Sequence, residues 1–195
     1  MSLRERKKEA TRQALSRAAM ALALEHGPEN VRVEDIAAAA GVSPRTYNNY
    51  FSSREAAICA VVVSANRLLG ERLRERPAEE PLAEACVQAM LAHYGGQDPP
   101  DRRFMRMIFQ HPALLGEFHK HHKATTQPLI EAVAERCGLD PARDLFPALL
   151  AATLTTAVRV ATHHWLDHDD GRDFPDVLRE ALLCVAPVAS ALDHP

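Results

Sequence analysis

The sequence predicts an all-α protein of about nine helices. Three observations carry that expectation. Alanine and leucine recur throughout while only 5% of the 195 residues are aromatic, a balance that favours helix over sheet. No alternating run of β-branched residues reads as a strand. Apolar residues return at helical spacing between prolines and glycines that cut the chain into pieces.

The first segment, LRERKKEATRQALSRAAMALALEHG, sets Leu15, Ala18, Ala19 and Leu22 at i, i+3, i+4 and i+7, one apolar helical face. Gly27-Pro28 gives it a stop. A second, short helix is expected over VEDIAAAA (33–40), with Glu34 and Asp35 at its positive N-terminal end. Gly41-Val42 forms a turn, Ser43 can cap a third helix, and Pro44 suits its first position, where no amide proton is needed. A fourth helix starts at SSRE, where Ser52 and Glu55 have capping-box spacing. Further helices are expected over 53–76, 81–94, 100–110, 113–137, 142–167 and 174–193. Pro128 and Pro187 should kink or end two of these.

With 47% hydrophobic and 25% charged residues the chain reads as globular. No apolar run approaches the roughly 20 residues of a membrane span, and the charged N-terminus lacks a signal-peptide core. A cytoplasmic protein with no membrane partner is expected. Cys59, Cys86, Cys137 and Cys184 lie far apart, as reduced thiols would. The net charge of -3 hides an asymmetry: residues 1–54 carry nine Lys/Arg against six Asp/Glu, and the remainder fourteen against twenty. A polyanion would bind the first part and be repelled by the second.

Two short helices joined by a glycine turn and packed on a longer first helix make a helix-turn-helix, whose second helix enters the DNA major groove. In GVSPRTYNNYF (41–51), Tyr47 and Phe51 stand four apart and point inward. Arg45, Thr46, Asn48, Asn49 and Tyr50 are left outside. Arginine can bond guanine in two places and asparagine can do the same with adenine, while hydroxyls suit phosphates. One such helix reads few bases, so a two-fold pair on a palindrome is expected.

The run TRQALSRAAMALALEHG…VRVEDIAAAAGVSPRTYNNYFSSREAAI, over about residues 11–58, resembles the N-terminal domain of the TetR family of bacterial transcriptional regulators. The resemblance implies Arg45 and Thr46 nearest the bases, and Tyr50 and Arg54 on phosphates. The implied DNA-binding set is Arg32, Ser43, Pro44, Arg45, Thr46, Asn48, Asn49, Tyr50 and Arg54. Asn48 stands where the family often has tyrosine. Arg32 stands where a threonine usually caps the second helix. The cluster Arg4, Arg6, Lys7 and Lys8 is either an arm over the DNA backbone or a solvated helix end.

The expected domains are 1–53, a helix-turn-helix, and 54–195, for ligand binding and dimerisation. The last two helices are apolar over more than one stripe, which points to a partner helix. TetR-like proteins dimerise through their last two helices, which places Leu154, Val158, Leu182 and Val185 at a homodimer interface. SPRTYNNYFSSRE and RDLFPALLAATLTTAVRVATHHW resemble a TetR subgroup with an acyl-CoA-like ligand-binding domain. A small apolar or acyl-CoA-like effector follows, with Met90, Tyr94, Met105, Phe109, Phe118, Arg159 and Trp165 as lining candidates. Arg159 interrupts an apolar run and needs a partner, either Glu180 or an anionic effector.

The function implied is a ligand-responsive repressor, released from its operator when an effector favours the DNA-incompetent state. An activator or effectorless regulator would share the same DNA-binding part. A helical metalloenzyme is the rival from another class, using HKHH (His119 to His122) and HHWLDH (His163 to His168). No third ligand stands at a defined offset, so no metal, cofactor or catalytic residue is assigned.

Overall fold

The computed structural model describes residues 2–95 and 101–190, and among these every regular element is helical. The chain runs α1 (Leu3–His26), a 3-10 turn (Pro28–Asn30), α2 (Val33–Ala39), α3 (Pro44–Asn48), α4 (Arg54–Asn66), α5 (Leu69–Arg74) and α6 (Leu82–Tyr94). There follow α7 (Arg102–Gln110), α8 (Pro112–Lys120), α9 (His122–Cys137), α10 (Leu145–Asp167) and α11 (Phe174–Ala189). Two expected helices are each divided, 53–76 at Arg67-Leu68 and 113–137 at His121, so the described residues hold eleven α segments. Pro100 and the expected end of the last helix at 191–193 lie outside the described residues.

The chain forms two compact units: Met1–Ser64 with Arg102–His121, and Ala65–Asp101 with His122–Pro195. The sequence puts a boundary between 53 and 54. Packing instead keeps most of α4 with the first three helices and adds α7 and α8.

In the first unit the alanine-rich face of α1 buries Leu15, Ala19 and Ala23. They pack in one cluster with Ile36, Tyr47, Phe51, Ile58, Phe104, Ile108 and Leu114. Small α1 side chains let α2 approach closely, and burial of the larger ones supplies the driving force, about 1.5–3 kcal/mol per side chain. Cys59 is buried in α4, its thiol directed at the Leu114 carbonyl at 3.5 Å, and burial pushes its pKa up to about 12.

In the second unit α6, α9, α10 and α11 enclose Met90, Leu129, Leu150, Leu154, Leu178 and Leu182. The short α5 crosses α9 where Gly70 faces Pro128, and a Cβ on Gly70 would collide with the Pro128 carbonyl. Pro128 stays within α9 and Pro187 within α11, so neither ends its helix. Arg136 pins the loop before α6, donating to the carbonyl of Glu80 at 2.7 Å and to that of Pro77. One expectation is corrected here: α10 is long and apolar enough to cross a membrane by length and composition. Its leucines, valines and alanines give it that character, and its Leu150, Ala151, Leu154 and Ala157 side is buried within the unit.

Candidate nucleic-acid interface

The turn between α2 and α3 is fixed by backbone bonds. The amide of Val42 donates to the Ala37 carbonyl at 2.9 Å and that of Gly41 to Ala38 at 3.0 Å, the paired bonds of a Schellman motif. Gly41 takes φ +68, a left-handed conformation that costs glycine little. The chain leaves it extended at Ser43, whose Oγ accepts the Thr46 amide at 3.1 Å and lies 3.0 Å from Thr46 Oγ1. Pro44 follows at the first helical position. The sequence signals for this cap are thus realised atom by atom.

Five residues make α3, too few to hold a helix unaided. Tyr47 anchors it: the ring is fully buried, its hydroxyl donates to the Ser53 carbonyl at 2.7 Å, and the Phe51 ring lies 5.8 Å away. Burial, with the Glu55 carboxylate adding to it, pushes the Tyr47 hydroxyl up to about 12, so it stays a donor. Tyr47→Phe leaves the Ser53 carbonyl without that partner and is expected to destabilise the protein by about 1–3 kcal/mol. Urea denaturation of the two proteins measures it. With Tyr47 inward, Arg45, Asn48 and Asn49 are exposed and Thr46 and Tyr50 partly so. The outer side of α3 and the turn after it therefore carry a guanidinium, two amides and two hydroxyls, with the Tyr50 ring packed partly against the core.

Arg32 is exposed at the cap position of α2 and makes no capping bond with its side chain. Arg54 is held within the protein. Its Nη1 donates to the carbonyls of Glu29 at 2.8 Å and Val31 at 3.2 Å, and its Nε to Glu55 Oε1 at 2.8 Å. Only Nη2 is left to reach a phosphate. That commitment, across 25 residues, gave no signal in the sequence. The cap of α4 is Ser53, whose Oγ accepts the Ala56 amide at 3.0 Å; Glu55 pairs with Arg54 instead of closing a box with Ser52. Arg4, Arg6, Lys7 and Lys8 are exposed on a regular helix closed by a Ser2–Glu5 capping box.

The effector candidates fall in both units. Met105, Phe109 and Phe118 belong to the first, where the two phenylalanine rings lie 5.8 Å apart. Met90, Tyr94, Arg159 and Trp165 belong to the second. Met90 is buried in its core, and Trp165 packs on Phe174 at 5.3 Å. The Tyr94 hydroxyl donates to Asn66 Oδ1 at 3.1 Å, and burial raises its pKa. Beside it, burial pulls His93 down to about 4, with the Arg72 charge adding to the effect, so its imidazole is neutral near pH 7. Arg159 is exposed rather than buried, so its position in an apolar run demands no partner, and Glu180 pairs with Arg172 at 2.6 Å.

Two of the interface residues are corrected. Leu154 is 1% exposed and Leu182 0%, because both face their own unit's core and have no surface to offer another chain. Val158 and Val185 pack partly buried against that core. The outward stripe is carried instead by Leu149, Val160 (52% exposed) and Leu183 (59%). Beside it runs an open apolar groove of about 480 Å³ lined by Ala152, Thr156, Val160, Ala181, Cys184 and Val185.

Among the described residues no three His, Cys, Asp or Glu side chains gather as a metal site would require. His164 and His168 stack 4.2 Å apart, with His168 Nδ1 2.9 Å from the His164 carbonyl. His121 lies 3.3 Å from Glu117, and the His122 side chain is outside the described residues.

Residues 15–58 match the family described as bacterial regulatory proteins, tetR family, and residues 76–190 match the MftR C-terminal domain. The chain is 31% identical over 172 residues to the HTH-type transcriptional regulator TcmR of Streptomyces glaucescens, spanning 84% of this chain and 76% of that one. It is 29% identical over 189 residues to a candidate mycofactocin biosynthesis transcriptional regulator, MftR, of Mycobacterium tuberculosis, spanning 95% and 92%. Among solved structures it is similar to FadR of Thermus thermophilus, a TetR-family transcriptional repressor in complex with lauroyl-CoA. The TM-score is 0.60 and the identity 22%, over 90% of this chain and 93% of that one, a likeness of fold. On these matches the chain belongs to the TetR family of bacterial transcriptional regulators.

Proposed function

We propose that this regulator acts in the cytoplasm as a homodimeric repressor, held on a palindromic operator and released by a small, largely apolar effector. The observation that carries the DNA part is the outer side of α3 and the turn after it: Arg45, Asn48 and Asn49 are exposed and Thr46 and Tyr50 partly so, on either side of the buried Tyr47 anchor. Arg45 and Thr46, at its N-terminal end, face base edges; Ser43, Pro44 and Tyr50 lie along phosphates, with Arg32 and the free Nη2 of Arg54 as flanking charges. Sequencing the duplexes this protein retains from a random pool tests the reading, and retention of no two-fold site would refute it. Arg45→Ala is expected to cost about 1–3 kcal/mol on the retained site and to relax one base pair per half-site. Competition titration with singly substituted sites measures both effects.

The dimer is supported by the apolar stripe of α10 and α11, since exposed apolar surface of that extent rarely stays uncovered. For the effector, the FadR likeness suggests an acyl-CoA class, and Met90, Tyr94 and Trp165, packed in and against the second unit's core, are the adaptable apolar side chains that would part to admit it. Acyl-CoAs of several chain lengths, titrated against the protein on its operator, should release DNA and raise the melting temperature. An effector that favours the released state about 100-fold shifts the equilibrium by roughly 2.7 kcal/mol, and operator must weaken its binding by the same factor. No stabilisation by any chain length would remove the acyl-CoA class and leave DNA reading intact.

A further inference from the structure

We propose that Arg12, on α1, is a positioning residue for DNA reading: it holds the C-terminal end of the recognition helix from behind. Its guanidinium carbon stands 4.5 Å from the centroid of the Phe51 ring, and its Nη1 donates to the Tyr50 carbonyl at 3.3 Å. Both contacts reach across the unit to residues 38 and 39 positions along the chain.

The chain leaving α3 explains why a guanidinium belongs there. The Tyr50 carbonyl lies two residues past the end of α3, in the turn before α4, and Arg12 supplies it with a charged donor. The Phe51 ring face adds the attraction of its quadrupole, and the half-buried setting of Arg12 keeps water from weakening both. Because α3 has only five residues, a shift at its end moves all of it. The Ser43 cap fixes the start, Tyr47 fixes the middle, and Arg12 fixes the exit, where Asn49 and Tyr50 turn towards DNA.

The inference rests on the DNA-reading assignment of α3. Its test measures the affinity of wild type, Arg12→Gln and Arg12→Lys for the selected operator and for an unrelated duplex, over a range of salt. Arg12→Gln is expected to weaken operator binding about tenfold, the scale of a charged hydrogen bond together with a cation–π contact. Affinity for the unrelated duplex should stay within about twofold, and the slope of log K against log salt should be unchanged, since no phosphate contact is lost. Arg12→Lys, which keeps the cation over the ring, should recover part of the loss. In a Phe51→Leu background, Arg12→Gln should cost less than in the wild type, because the ring contact is already gone and only the bond to the Tyr50 carbonyl remains to be lost.

A residue that merely stabilised the fold would move the melting temperature and leave the operator preference of the folded protein alone. Equal losses on both duplexes with a slope lower by about one would make Arg12 a direct phosphate contact and overturn the proposal. Wild-type operator affinity in Arg12→Gln would overturn it too, with the assignment of α3 untouched. Failure of the wild type to prefer any duplex would overturn both.

Discussion

Val160→Glu combined with Leu183→Glu is expected to give a folded monomer that has lost its operator. Both side chains stand on the outward stripe of α10 and α11, more than half exposed, so neither substitution opens a hole in its own unit. Placed on a two-fold face, the same glutamates bring like charges together where water is excluded, which costs several kcal/mol per ion. Each monomer then reads one half-site, and the avidity of simultaneous engagement, about 10²–10⁴-fold, disappears. Light scattering should show half the wild-type mass, circular dichroism an unchanged helical signal, and titration a loss of that size. A control separates interface from core: Leu182→Glu buries a charge inside the protomer and should unfold it. Wild-type mass in the double variant would clear this face of any role in assembly.

Gly70→Ala and Gly116→Ala are expected to move stability in opposite directions. Both glycines lie in helices, where alanine is intrinsically better by about 1 kcal/mol. At Gly116 an added methyl meets nothing within 4 Å, and the gain should appear in full. At Gly70 the same methyl runs into the Pro128 carbonyl, which is backbone and cannot swing aside. Either α5 or α9 must move, and overpacking of this kind costs about 1–3 kcal/mol or more, which outweighs the helix preference. Urea midpoints of the two variants measure the contrast. A stabilised Gly70→Ala would mean that α5 and α9 separate freely.

What the chain spells out locally, it spells out well. Gly41, Ser43 and Pro44 define the turn and the cap because each acts on bonds within three to five residues. Tyr47 and Phe51 declare an inner face through four-residue spacing alone. Periodicity is weaker where a helix is apolar on two sides. In α10 and α11 it cannot say which stripe meets the protomer's own core, and Leu154 and Leu182 turned out to occupy that core while Val160 and Leu183 face out. It is silent about partners brought together by folding. Arg54 looks like a free charge in the sequence and is held by the carbonyls of Glu29 and Val31; Arg12 looks the same and lies on Phe51. Met105, Phe109 and Phe118 share the spacing of their neighbours, yet α7 and α8 pack with the helix-turn-helix unit.

The interrupted course of the first unit has a bearing on how the protein is made. Its core needs Phe104, Ile108 and Leu114, which leave the ribosome only after the whole of α5 and α6 has been synthesised. Until residue 121 of 195 has emerged, the first helices lack Phe104, Ile108 and Leu114 from their core, and the Cys59 thiol lacks the Leu114 carbonyl it faces. A nascent or prematurely terminated chain therefore passes through a stage with exposed apolar surface. The core beneath α3 is thus completed late in synthesis, although α3 itself is among the first segments to be translated.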